Sequence, residues 1–254
     1  MINKNQIDII LPNYNKKQFL HKTINSVIAQ TFKYWNLIII DNNSTDGSKD
    51  ILKEYQKISN IKIFYLKKNM GVAFSRNFGL RKSNSKYIGF LDSDDLWDKK
   101  KLQNQLHFME KFDYSFTYTN YTPFLTRNNK DYFRTTIKPK EKYDLNSFVM
   151  DTSIATSSMI IKKDLINHYK FNNKSFNEDY DFKCKILKIP CMAYNLKENL
   201  TFYRITPGSR SSFKLKSLIS VFKTNKNLLK LSFIKNIKSI LFISFNSLRK
   251  YGYK

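Results

Sequence analysis

The chain alternates two kinds of apolar pattern. Ile7 to Leu11, Trp35 to Ile40, Ile61 to Leu66 and Tyr87 to Leu91 are short apolar runs of strand length. Between them apolar residues recur at three- and four-residue spacing. Leu20, Ile24, Val27 and Ile28 lie between Lys16 and Gln30, Ile51, Leu52, Tyr55 and Ile58 follow the second run, and a further helical stretch extends from Gly71 to about Lys82. Leu37 to Ile40 is apolar at every position, as a parallel strand covered on both faces requires. Strand and helix in this rhythm predict right-handed crossovers and a doubly wound α/β sheet. Ligands of such sheets bind outside the carboxyl ends of the strands. Three polar segments fall there: Pro12 to Asn15, Asp41 to Gly47 and Asp92 to Asp95.

After Trp97 the rhythm fades. The pattern predicts a helix over Asp98–Lys111, a strand over Tyr114–Tyr121, and an irregular polar segment over residues 122–150. A strand over Thr156–Ile161 and a short helix from Asp164 follow. A second acidic cluster, Glu178-Asp179-Tyr180-Asp181, leads into a helical run through Leu187, and Tyr203-Arg204 and Ser209 to Ser212 form a polar segment after a short strand.

Asp92, Asp94 and Asp95 place three carboxylates in four positions where the fourth strand leaves the sheet. Such charges repel, and a divalent cation gives a reason to gather them. Asp92 and Asp94 are two residues apart, so an extended backbone points both the same way. Their hard oxygens suit Mg²⁺ or Mn²⁺, with further coordination positions open to phosphate oxygens. Taken alone, the tetrad equally fits a turn in which Asp95 caps a following helix.

Composition narrows the picture. There are 45 basic against 20 acidic residues, a formal charge of +25, which favours anionic partners. Cys184 and Cys191 are the only cysteines, wrongly spaced for zinc, and read as reduced thiols of a cytoplasmic protein. No apolar stretch reaches spanning length, and Met1–Asn5 leads straight into a strand without room for a signal peptide. From Phe213 to Lys254 there are ten Lys or Arg and no acidic residue. Leu229, Phe233, Ile237, Leu241, Phe245 and Leu248 recur there at helical spacing. A basic amphipathic tail of this kind either lies on an anionic membrane or packs its apolar face on the core.

Four segments, Ile9 to Asn15, Ile40 to Ser48, Gly71 to Asn77 and Phe90 to Asp95, occur in an order and spacing that resemble the family 2 glycosyltransferases. The resemblance is close over residues 7–110 and looser to about 212, where Glu178-Asp179 resembles the family's acidic catalytic pair. It implies a GT-A fold, a Rossmann-like mixed sheet flanked by helices. A catalytic domain would then span residues 1–212, with a nucleotide-binding half to 111 and an acceptor-binding half from 112, followed by a helical tail over 213–254. It also implies roles: Pro12 and Tyr14 against the base, Asp41 and Asn42 at base and ribose, and Arg76 near base or diphosphate. Asp92 would reach ribose or metal, Ser93 would join the nucleotide-sugar set, Asp94 would be the principal ligand of Mn²⁺ or Mg²⁺, and Asp179 the catalytic base. Asn42 departs from the family's frequent aspartate, but an amide oxygen still accepts the uracil N3–H.

The expected activity is inverting transfer of a hexose or N-acetylhexosamine from a UDP-sugar to a saccharide or lipid-linked saccharide of a surface glycan, such as lipooligosaccharide or capsule. The expected location is the inner face of the cytoplasmic membrane, with the tail on its anionic surface. A nucleotidyltransferase would want a glycine-rich loop after the first strand, and Pro12–Asn15 contains no glycine. A basic module for nucleic acid or membrane accounts for the charge but not the acidic rim, and no nucleic acid partner is expected. A glycosidase needs two carboxylates but no nucleotide site.

Overall fold

The structure is a computed structural model that describes residues 6–128, 130–206 and 214–251. The segment Ser209–Ser212 and the first residues, Met1–Asn5, lie outside the described residues. Strands β1 (Ile7–Asn13), β2 (Trp35–Asp41), β3 (Ile61–Tyr65) and β4 (Tyr87–Phe90) alternate with helices α1 (Lys17–Ile28), α2 (Ser48–Tyr55) and α3 (Val72–Lys82). These four strands run parallel in the order β3-β2-β1-β4. Leu37, Ile38, Ile39 and Ile40 are all buried, as the apolar run predicts for a strand covered on both faces. α3 lies close on the sheet because it carries Gly79. A Cβ there would stand 2.5 Å from Ile10 Cγ2 and 3.1 Å from Ile40 Cδ1.

The sheet continues past β4 as a mixed one. β9 (Ile160–Lys162) pairs antiparallel with β4 and β6 (Phe116–Arg127), and β6 pairs parallel with β10 (Ala193–Arg204). β5 (Leu96–Trp97) closes the edge antiparallel to β10, β7 (Lys130–Phe133) pairs with β6, and β8 (Lys142–Tyr143) pairs with β10. Apolar clusters fill both faces of this ten-stranded sheet. Phe90, Phe116, Tyr118 and Phe182 are at the centre of one, and Ile9, Leu11, Ile39 and Trp97 are in the other.

Several local expectations change. Leu96–Trp97 is strand rather than helix, and α4 begins only at Lys101 and runs to Lys111. Asp95 therefore caps nothing: Ser157 Oγ donates to one of its carboxylate oxygens at 2.5 Å and the Arg204 backbone N–H to the other at 2.8 Å. Residues 122–150 are not irregular throughout. The strand predicted to end at Tyr121 runs on to Arg127, and β7, β8 and the short helix α5 (Leu145–Phe148) follow. Asp144 caps α5 by accepting the Ser147 N–H. Thr156–Ser158 forms one 3-10 turn before β9, and α6 (Lys163–Ile166) and α7 (Glu178–Leu187) come after it.

The tail forms two helices, α8 (Lys214–Asn227) and α9 (Phe233–Tyr251). α9 docks through Ile240 and Ile243, which pack against the core, and through polar groups. Asn236 and Ser239 are buried, and Asn225 Nδ2 donates to Asn236 Oδ1 and Ser239 Oγ, each at 3.0 Å. Ser239 Oγ donates to the Val149 carbonyl at 2.6 Å, and Tyr180 OH donates to Asn225 Oδ1 at 2.6 Å. Leu229 of the predicted stripe packs against the core, whereas Phe233, Leu241 and Phe245 face outward, 72%, 64% and 64% exposed. No helix among the described residues is long and apolar enough to cross a membrane.

Candidate active site

A cleft of about 990 Å³ opens at the carboxyl ends of β1 and β4. Pro12, Tyr14, Asn42, Arg76, Asp92, Ser93, Asp94 and Asp179 all line it, so segments spread over most of the chain meet in one place. Asp41 does not line it. Its carboxylate is fully buried, accepting from Asn13 Nδ2 at 2.9 Å and from the Ser44 N–H at 3.0 Å, and thereby fixes the β1 and β2 strand ends together. Asn42 beside it accepts the Met70 N–H at 2.8 Å and donates to Asn69 Oδ1 at 2.7 Å, which ties the second strand end to the loop before α3. That loop ends at Gly71, whose φ of +82° is costly for any residue with a Cβ. Tyr14 is 44% exposed, its ring open to the cleft, whereas Pro12 and Ser93 are buried.

The acidic rim is charge-balanced from distant elements. Arg76, 4% exposed on α3, donates to Asp92 at 2.6 Å and to Glu178 at 2.8 Å, and stands over the Phe171 ring at 5.3 Å. Burial works against its charge, but Asp92, Glu178 and Asp179 outweigh that and hold the guanidinium above its usual range. Lys16, at the start of α1, pairs with Asp94 at 2.6 Å. Arg204 at the end of β10 donates from Nε to the Asp94 carbonyl at 2.7 Å, its guanidinium held between the rings of Phe19 and Phe124. Repulsion among the aspartates is thus relieved partly by the protein's own cations. Asp95 is the buried exception: burial first, then Asp94 and Asp92, push its carboxyl well above the usual range.

Asp179 stands in the first turn of α7, with Thr156 Oγ1 donating at 3.2 Å and Lys183, one turn on, at 2.9 Å. Burial raises its carboxyl, but Lys183 and then Arg76 overcome this and hold it well below the usual carboxylate range. Asp181 points away from the cleft into an ion pair with Lys185. Ser157 ties the two halves together. Its hydroxyl holds Asp95 and accepts the Asp92 N–H, and its carbonyl accepts from Trp97 Nε1 at 2.7 Å. Lys16, Ser157, Lys183 and Arg204 were not singled out from the sequence as site residues. Only Lys183 had a local signal, the four-residue spacing from Asp179.

The donor set has room for a divalent ion. Asp92 Oδ2 and Asp94 Oδ1 take no hydrogen bond from any described residue, since Arg76 and Lys16 hold the opposite oxygens. No group of three or more metal-capable side chains exists among the described residues. The two free carboxylate oxygens therefore fit an ion that completes its shell with phosphate oxygens and water.

A parallel half-sheet extended by a mixed half, with an acidic strand end opening on a cleft between them, is the GT-A arrangement. The family model described as Glycosyl transferase family 2 matches residues 8–180, and the chain belongs to that family, a glycosyltransferase. Over 96% of its length it is 31% identical to the putative teichuronic acid biosynthesis glycosyltransferase TuaG of Bacillus subtilis, covering 96% of that protein. It is 35% identical over 84% of its length to the Escherichia coli UDP-Glc:alpha-D-GlcNAc-diphosphoundecaprenol beta-1,3-glucosyltransferase WfaP, covering 82% of it. Among solved structures, S. aureus TarS 1-349 in complex with UDP-GlcNAc superimposes with a TM-score of 0.69 at 17% identity, over 98% of this chain and 73% of that one.

Proposed function

We propose that this glycosyltransferase is inverting and metal-dependent, and moves a hexose or N-acetylhexosamine from a UDP-sugar to a lipid-linked saccharide in surface-glycan synthesis. The observation that carries this reading is the convergence of Tyr14, Asn42, Arg76, Asp92, Asp94 and Asp179 on one cleft. Two relatives with matching length support the choice of substrates, one bearing a UDP-Glc and diphosphoundecaprenol name, the other a teichuronic acid name. In this reading residues 1–111 hold the nucleotide, 112–212 the acceptor, and 213–254 the membrane.

Tyr14 and Pro12 face the base and Asn42 shapes the pocket beside it. Asp41 acts indirectly, by holding the strand ends that carry Asn13 and Asn42. Asp94, with Asp92, holds Mn²⁺ or Mg²⁺, which when bound neutralises charge on the departing diphosphate. Arg76 keeps Asp92 in place. Asp179 is ionised across the physiological range and accepts the proton of the attacking hydroxyl, while Lys183 holds its orientation. The outward apolar stripe of α9, flanked by Lys238 and Arg249, supports contact with an anionic membrane face on the cytoplasmic side.

Calorimetry with UDP, with and without Mn²⁺, tests the donor site. Binding should be metal-enhanced in the wild type and lose that enhancement in Asp94→Ala. A screen of UDP release over UDP-Gal, UDP-Glc, UDP-GlcNAc and UDP-GalNAc identifies the donor, with slow hydrolysis subtracted. Asp179→Asn should keep UDP binding and lose transfer; full transfer by that variant would remove Asp179 from the mechanism.

A further inference from the structure

Helix α8 has two working faces. Ser217 and Val221 line the cleft, and Ser220, Thr224 and Asn225 are buried toward α7 and α9. The opposite side carries a second concavity of about 520 Å³, lined by Ile219, Phe222, Lys223, Lys226 and Asn227. Ile219 is 48% exposed, and the Phe222 ring meets Phe233 of α9 edge-on at 6.5 Å, so this groove runs into the outward apolar stripe of α9. Lys223 and Lys226 are exposed, and neither ammonium makes a hydrogen bond or ion pair with any described residue. An apolar floor under two uncommitted cations, continuous with a longer apolar strip, is shaped for an amphiphile with an anionic head.

We infer that this groove binds the polyprenyl diphosphate of a lipid-linked acceptor, the two lysines holding the diphosphate and Ile219, Phe222 and the adjoining Phe233 holding the first prenyl units. This rests on the acceptor class of the function proposed above and deepens it. A helix with its side chains is about 10 Å across. The saccharide between the diphosphate and the attacking hydroxyl must therefore be long enough to pass round α8 from the groove to the Ser217–Val221 side, where Asp179 lies in the same cleft. The charge is complementary: the chain from Lys214 to Lys250 carries lysines and an arginine and no acidic residue, so nothing there repels a diphosphate. A bulk membrane contact would need only the α9 stripe and not the paired lysines of α8.

The test uses farnesyl diphosphate as probe, with saturating UDP and Mn²⁺ to block the donor cleft. Binding is measured by calorimetry for the full chain, for Lys223→Gln/Lys226→Gln, and for Leu241→Ser/Phe245→Ser. The lysine variant should bind the probe about tenfold more weakly or worse, as the loss of two charge-assisted contacts predicts. It should keep wild-type UDP release from the donor sugar and wild-type sedimentation with neutral vesicles. The α9 variant should lose vesicle sedimentation and keep most diphosphate binding. Farnesol and inorganic pyrophosphate should each bind more weakly than the complete probe. Equal binding of farnesyl diphosphate by the wild type and the lysine variant would overturn the inference while leaving the donor-site reading intact. Equal loss on phosphatidylglycerol vesicles without any loss on the probe would instead assign the lysines to bulk anionic lipid. Absence of UDP binding and UDP release in the wild type would sink the underlying function itself.

Discussion

Replacing Arg76 by methionine removes a buried cation that joins the two halves of the cleft. Its guanidinium is 4% exposed and contacts Asp92 at 2.6 Å and Glu178 at 2.8 Å. The Asp92 side chain is 32% exposed, so water screens it and that half of the loss is small. The Glu178 side chain is 6% exposed, and without Arg76 its charge is buried beside Asp92 and Asp179. Removing one partner of a buried ion pair costs about 3–5 kcal/mol. At about 2–4 °C per kcal/mol for a chain of this size, the melting temperature should fall by roughly 6–20 °C. The cause is separable from lost packing by a double-mutant cycle. Arg76→Met/Glu178→Gln removes the Glu178 charge together with its partner, and should be more stable than Arg76→Met by at least about 1 kcal/mol. Denaturant titration of the four proteins measures this. A single variant within about 1 kcal/mol of the wild type, or strictly additive losses, would refute the electrostatic account.

Lys183→Met should move the acid limb of the kcat/KM profile upward. Asp179 is held below its unfolded value, so its ionised form is favoured above about pH 4 and lost only as the pH falls through the lower folded value. Without Lys183 that loss begins at higher pH; an unmoved limb means another group titrates. Gly79→Ala should cost about 1–3 kcal/mol, because the new methyl meets Ile10 and Ile40 and lifts α3, and a melting curve unchanged from wild type would show that the helix already has room. Leu241→Ser/Phe245→Ser should abolish sedimentation with phosphatidylglycerol vesicles without lowering the melting temperature, since both residues are exposed. A lowered melting point would mean the stripe packs on the protein in solution.

The parallel half of the fold was legible because its signals are local. Four apolar runs of strand length, the helical spacing between them and the polar residues at each strand end are all set within a few neighbours. The segments around Pro12, Asn42, Arg76 and Asp92 could likewise be read in order, and they share one cleft. The mixed half was harder. β5 has two residues and exists only because β10 pairs with it, and Tyr121 reads as a strand end although pairing carries β6 on to Arg127.

What the sequence determined by itself was therefore the order of the early elements and the chemistry offered at their ends. What only tertiary structure decided was which charge meets which. Lys16 reaches Asp94 across 78 positions, and Arg76 reaches Glu178 across 102. Tertiary packing also sank Asp41 into the framework below the cleft and turned Phe233, Leu241 and Phe245 of α9 outward, while Ile240 and Ile243 pack on the core and Asn236 and Ser239 are buried in a polar network with Asn225. The physical reason is range: backbone periodicity is written in adjacent residues, whereas an ion pair or a helix's facing depends on partners that only the closed chain brings within a few ångströms.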